Sequence, residues 1–153
     1  MNRLTFRGLD KRRFVRVDSP LRVTLCIIRD GEAPDNTHPI RVRSCNISRE
    51  GICLETGQII INSVNMLSGA PGARDNLLKM EIELAPGQPP IKTKGEVCWY
   101  DVTRDSEEFM YQVGVCFVEI DDGDSERIKA FVKSNTRKPG FFRKLFFGPA
   151  CLL

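Results

Sequence analysis

Histidine is almost missing from this chain: His38 is its sole representative, and it falls in a breaker-rich loop. Six cysteines are present (Cys26, Cys45, Cys53, Cys98, Cys116 and Cys151), but none are spaced as C-x-x-C. These two facts argue against a structural zinc site, whose ligands are closely spaced Cys and His. With no cysteine–histidine pair and no carboxylate set tied to a pocket, no catalytic residue can be named and the chain does not read as an enzyme. No apolar run approaches the roughly 20 residues that cross a bilayer, and none opens the chain as a secretory signal. The expected setting is cytoplasmic, with reduced thiols packed as small hydrophobes. A strong basic excess is also missing. The balance of 23 Lys and Arg against 20 Asp and Glu leaves +3, so DNA is not an expected partner. The run Gly69-Ala70-Pro71-Gly72 lacks the Lys-Ser/Thr ending of a phosphate-binding loop and receives no nucleotide role.

What the chain does have is a series of short β-like runs. Leu21 to Ile28, Arg41 to Ile47 and Ile52 to Glu55 are rich in Leu, Val, Ile and Thr. Ile59 to Ile61 is a further short candidate, followed by a surface loop over Asn62 to Asn76. Leu77 to Leu84 alternates Leu78, Met80, Ile82 and Leu84 with charged residues, the period-two pattern of a half-buried strand. Pro86 to Pro90 turns the chain. Ile91 to Val102, with a bulge or bend at Gly95, and Phe109 to Ile120 follow, joined by a charged turn over Thr103 to Glu108. Short strands without alternating helices predict an antiparallel barrel or sandwich. Asp124, Ser125 and Glu126 then suit a helix start, and Ile128, Phe131 and Val132 form one apolar stripe. Pro139-Gly140 stops that helix. The expected organisation is a flexible segment over 1–10, a barrel domain with its helix over 11–138, and a Phe-rich tail over 139–153. The tail reads as a second short helix docked on the barrel or on a partner, against a membrane-surface anchor as the competing reading.

Charge is unevenly placed. Residues 1 to 16 carry Arg3, Arg7, Lys11, Arg12, Arg13 and Arg16 against one acid, Asp10. Arg12 and Arg16 form R-x-x-x-R, and arginine's planar fork matches phosphate oxygens and stacks on purines. Alone, such a run reads as a solvated face. Between two predicted strands lies a second polar motif, Asn46-x-Ser48-x-x-Gly51. Asn46 and Ser48 can read a base edge or bond a phosphate, and Gly51 allows positive φ and close backbone approach. Alone, this is equally a turn whose Asn and Ser bond their own backbone.

The two motifs in this order, separated by one strand and a loop, resemble the PilZ domain family. Lys94-Gly95-Glu96-Val97-Cys98-Trp99, then Val113-Gly114-Val115-Cys116-Phe117 and a helix, are similar to that family's second half, so the likeness spans roughly residues 10 to 135. The resemblance implies a mainly all-β fold, a six-stranded antiparallel β-barrel with a C-terminal covering helix. It also implies a ligand, the second messenger cyclic di-GMP. Arg12 and Arg16 would grip phosphates and stack on guanine, Asn46 and Ser48 would contact base and phosphate edges, and Gly51 would shape the turn. Lys11 and Arg13 would add phosphate contacts, Trp99 would stack on a guanine or serve as a rim aromatic, and Gly114 would let the ligand approach or form a bulge. No cofactor beyond that ligand is implied. The function so implied is a receptor or adaptor whose arginine arm, mobile without ligand, orders over the barrel and changes the surface shown to an effector protein, with a ligand-linked dimer as one assembly. A ligand-blind interaction module and a single-strand nucleic-acid-binding barrel are the competing classes.

Overall fold

The alternation of apolar and polar side chains along each strand decides which face turns inward. In the computed structural model, residues 14–29, 38–61, 64–67, 76–105 and 108–136 are described. They form β1 (Val17–Asp18), β2 (Arg22–Arg29), β3 (Ile40–Ile47), β4 (Gly51–Thr56), β5 (Ile60–Ile61), β6 (Val64–Asn65), β7 (Asn76–Glu83), β8 (Ile91–Asp105), β9 (Glu108–Ile120) and one helix, α1 (Asp122–Thr136). The main sheet runs β3-β2-β7-β8-β9-β4, and β4 pairs back onto β3. Six antiparallel strands therefore close into a barrel, which leaves few unpaired edges. Val23, Leu25, Leu54, Leu78, Met80, Ile82, Ile91 and Val113 fill its interior at 1% exposure or less.

Several local expectations change. The described part of the segment before Leu21 is anchored, not free: β1 pairs with β3 through Val17↔Ile47 and Asp18↔Asn46. Val17 and Leu21 are both buried. The Ser44 hydroxyl accepts from Leu21 N (2.8 Å) and donates to the Ser19 carbonyl (2.6 Å), pinning the bend around Pro20. Two apolar anchors and this hydrogen bonding outweigh like-charge repulsion over Val17 to Leu21. Part of the expected 62–76 loop is strand: β6 pairs with β5, and this hairpin places Ile61 and Met66 in the core. The charged turn expected over Thr103 to Glu108 is mostly ladder, because β8 and β9 stay paired out to Asp105↔Glu108. The 1–10 segment, the positions 68–75 and the 139–153 tail lie outside the described residues.

Helix α1 begins earlier than its acidic run. Asp121 is its N-cap: Asp121 Oδ1 accepts from Asp124 N at 2.7 Å. Asp124 instead fastens the helix to the barrel, accepting from Lys92 N at 3.0 Å and pairing with Arg127. The helix packs against β1 and β8, burying Ile128 and Val132 with Phe131 half-buried beside them. Asp121→Ala should therefore lower stability by about 1 kcal/mol. Urea unfolding checks this; an unchanged midpoint would remove Asp121 from the capping role.

Candidate functional site

Two β-bulges decide what the outer wall presents. Along β3, Val42 and Ser44 face inward, and period two would send Asn46 inward after them. A register shift between Ser44 and Asn46 makes Cys45 an extra residue, so that Asn46 pairs with Cys53 and faces outward. Along β8, Val97 pairs with Val115 on the inner face. A second shift, between Val97 and Trp99, makes Cys98 extra and sets Trp99 outward opposite Gly114. Because Cys53 also pairs with Gly114, Asn46, Cys53, Gly114 and Trp99 line up across four adjacent strands. A register shift is also present between Lys94 and Gly95, but its extra residue, Val118, lies on β9 opposite them.

The polar motif closes the end of this row. Ser48 N donates to the Gly51 carbonyl at 2.9 Å, and Ser48 Oγ accepts from Glu50 N at 3.3 Å. Phe117 N donates to the Glu50 carbonyl at 2.9 Å, tying the turn to β9. Ser48 thus holds its own turn, the local role open to it from sequence. Continuing the β1–β3 register from Val17↔Ile47 sets Arg16 against Ser48. One step further out, the Arg49 guanidinium lies 4.4 Å from the centroid of the Phe14 ring. This contact joins the arginine-bearing segment to the turn.

The result is one cleft of about 50 Å³ lined by Arg16, Asn46, Ser48, Gly51, Trp99 and Gly114, together with Glu50, Cys53 and Cys116. Six residues named from sequence therefore meet in one place. Lys11, Arg12 and Arg13 lie outside the described residues. Asn46 and Ser48 form the floor, at 3% and 5% exposure. Gly51 does not use the positive φ that glycine permits; among the described glycines Gly87 does, at 79°. Close approach is what demands glycine at 51, since a Cβ there would collide with the Val115 carbonyl oxygen. At 114 the demand comes from a side chain: a Cβ would fall within the indole of Trp99. Glu50, Cys53 and Cys116 were not singled out from sequence. Period-two parity with Gly51 and Gly114 could have found the two cysteines, and the turn's position could have found Glu50.

The cysteines bring a further correction. Cys98 and Cys116 are joined as a disulfide, with Cα atoms 6.3 Å apart, where reduced thiols were expected. Both sit on the outer wall of neighbouring strands, a placement their separation of 18 residues does not reveal. Cys26, Cys45 and Cys53 are not in disulfides.

A second, larger depression of about 640 Å³ is lined by Arg22, Arg41 and Arg43, but also by Glu55 and Glu83. Its charges largely offset one another, and no described residue of either motif lines it. Among the described residues no group of three His, Cys, Asp or Glu could hold a metal ion, and no helix is long and apolar enough to cross a membrane.

Fold and site together define a small closed β-barrel with a helix packed on it and a polar, arginine-bordered cleft on its outer wall. The chain belongs to the PilZ domain family, whose model matches residues 10–134. Comparison with curated proteins gives no match. Among solved structures it is similar to the PilZ domain of YcgR from Escherichia coli with c-di-GMP, at 11% identity and a TM-score of 0.59, covering 88% of this chain and 98% of that one. It is also similar to apo MrkH of K. pneumonia, at 22% identity and a TM-score of 0.60, covering 88% and 54% respectively. A third likeness is to the Bacillus subtilis inhibitor of motility MotI/DgrA, at 22% identity and a TM-score of 0.56, covering 84% and 53%. The chain therefore spans about half the length of MotI and MrkH. At these identities the likeness is one of fold.

Proposed function

We propose that this chain is a receptor for cyclic di-GMP that acts as an adaptor and not as an enzyme. The observation that carries the reading is the convergence of Arg16, Asn46, Ser48, Gly51, Trp99 and Gly114 on one cleft, although they come from β1, β3, β4, β8, β9 and the segments beside them. That set offers a guanidinium for phosphate, an amide and a hydroxyl for polar edges, and an indole for a purine face. YcgR and MrkH, which share the fold, have each been solved with c-di-GMP.

The cleft is smaller than the roughly 300 Å³ or more that encloses a drug-sized ligand. A cyclic dinucleotide would thus lie across the wall, with Arg12 and its neighbours completing the site from above. Arg12 and Arg16 grip the phosphates, and Lys11 and Arg13 add charge. The ordering of residues before Phe14 then alters the surface met by an effector protein, which responds only if it distinguishes the two states. One feature favours a second reading, a ligand-blind interaction module: the floor residues are nearly inaccessible, and Ser48 already serves its own turn.

Calorimetric titration with cyclic di-GMP, with GTP as control, separates the two. Saturable heat with the cyclic dinucleotide and none with GTP is expected, and the titration gives the stoichiometry. No binding at several temperatures, repeated by a second method, would leave the interaction module.

A further inference from the structure

The disulfide partners Cys98 and Cys116 are tied to the cleft in two ways. Cys116 lines it directly, two residues after Gly114 on β9. Cys98 is the extra residue of the β8 bulge, immediately before Trp99. That bulge is what turns Trp99 outward over Gly114. A covalent bond from Cys98 to β9 therefore braces the one local irregularity on which the indole's position depends. The Cα separation of 6.3 Å is within the range that a disulfide spans without backbone movement. Cys116 is exposed and Cys98 half-buried, so reagents can reach the pair. The dithiol form also has a place for the proton: Cys98 Sγ lies 3.7 Å from the Glu96 carbonyl oxygen, an acceptor for its S–H.

We propose that Cys98 and Cys116 are a reversible thiol–disulfide site that sets the position of Trp99 and, through it, the cleft's hold on its ligand. The oxidant is a low-molecular-weight disulfide. The Cys116 thiolate attacks one of its sulfurs, forming a mixed disulfide and expelling one thiolate. The Cys98 thiolate then attacks Cys116 Sγ, forming the intramolecular bond and expelling the second thiolate. The two protons lost by the cysteines go to those two leaving thiolates. Overall the two cysteines give up two electrons, and one small disulfide becomes two thiols. Excess small thiol drives the same steps backward.

The oxidised form is the tighter binder. A braced bulge holds Trp99 in place beforehand, whereas the dithiol form must order it on binding. Ordering one side chain and its bulge corresponds to about three- to tenfold in Kd. This last clause rests on the receptor reading above; the redox site itself does not.

The experiment keeps them apart. The full-length protein is equilibrated with oxidised or reduced glutathione, then alkylated and mapped by non-reducing peptide mass spectrometry. A Cys98–Cys116 linkage is expected with oxidised glutathione and its loss with reduced. Trp99 is the chain's only tryptophan, so its emission reports the bulge without any ligand. The emission spectrum is expected to differ between the two forms. It should not respond to glutathione in the Cys98→Ser/Cys116→Ser double variant. Free alkylation of both residues after oxidation, identical emission from the two forms, or a response surviving in the double variant each overturns the redox site. Titration of both forms with cyclic di-GMP tests the coupling. Equal affinities overturn it, and absence of binding in both forms overturns the receptor reading while the emission result stands by itself.

Discussion

Replacing Gly114 with alanine is expected to be among the most damaging single-methyl changes in this barrel. A Cβ at 114 would occupy the space of the Trp99 indole. The backbone there cannot step aside, because β9 is laddered on one side to β4 through Cys53↔Gly114 and on the other to β8 through Trp99↔Gly114. The indole must leave, and its contact with the barrel wall is lost. Overpacking of this kind costs about 1–3 kcal/mol. The denaturation midpoint should fall accordingly, and tryptophan emission should move to the red as the ring enters water. The cause is checked by a double-mutant cycle. In a Trp99→Ala background, Gly114→Ala should cost about 1 kcal/mol less, since the clash has been removed. Equal costs in the two backgrounds would mean that the glycine serves the backbone and not the indole.

The second large effect concerns ligand, not stability. Arg16→Ala is expected to weaken cyclic di-GMP binding by about ten- to a hundredfold, the worth of a charge-assisted hydrogen-bond pair to phosphate. Arg16 is held to one side of the cleft by Val17, whose burial and pairing with Ile47 fix where the guanidinium begins. Arg16→Lys keeps the charge but loses the planar fork, so it should recover only part of the affinity. Raising salt should weaken the parent more than the alanine variant, because one phosphate contact is then missing. Calorimetry at two ionic strengths measures both. An Arg16→Ala protein that binds like the parent would take Arg16 out of the site, and would point to the preceding basic residues as the whole of the phosphate grip.

Much of the fold was legible in the sequence. The period-two alternation of Leu78, Met80 and Ile82, the β-branched runs of β2 and β4, and the Ile128–Phe131–Val132 stripe each predict an element that is present. Strand ends and short strands were less legible. Val17–Asp18 and Val64–Asn65 are too brief to show periodicity; they exist because a neighbouring strand offers hydrogen bonds. The same holds for the outer ends of β8 and β9, where charged residues continue the ladder because each strand supports the other. Likewise, Asp121 was hidden as the helix cap behind the more conspicuous Asp124, Ser125 and Glu126, and only the bond from Asp124 N distinguishes it.

The sequence by itself determined the class of the barrel, the helix that packs on it, and the residue types of the candidate site, because those follow from alternation, turn chemistry and two short motifs. Tertiary structure alone decided which way the key side chains point. Period two sends Asn46 and Trp99 into the core. A single extra residue in each strand, Cys45 and Cys98, turns both outward. Neither of these two bulges carries a glycine, and each follows from the register of its partner strand, so no local pattern announces it. The same two bulges bring residues from β3, β4, β8 and β9 to one cleft, and set Cys98 beside Cys116. Pairing across strands is a property of the closed sheet, and the closed sheet exists only once the chain has folded.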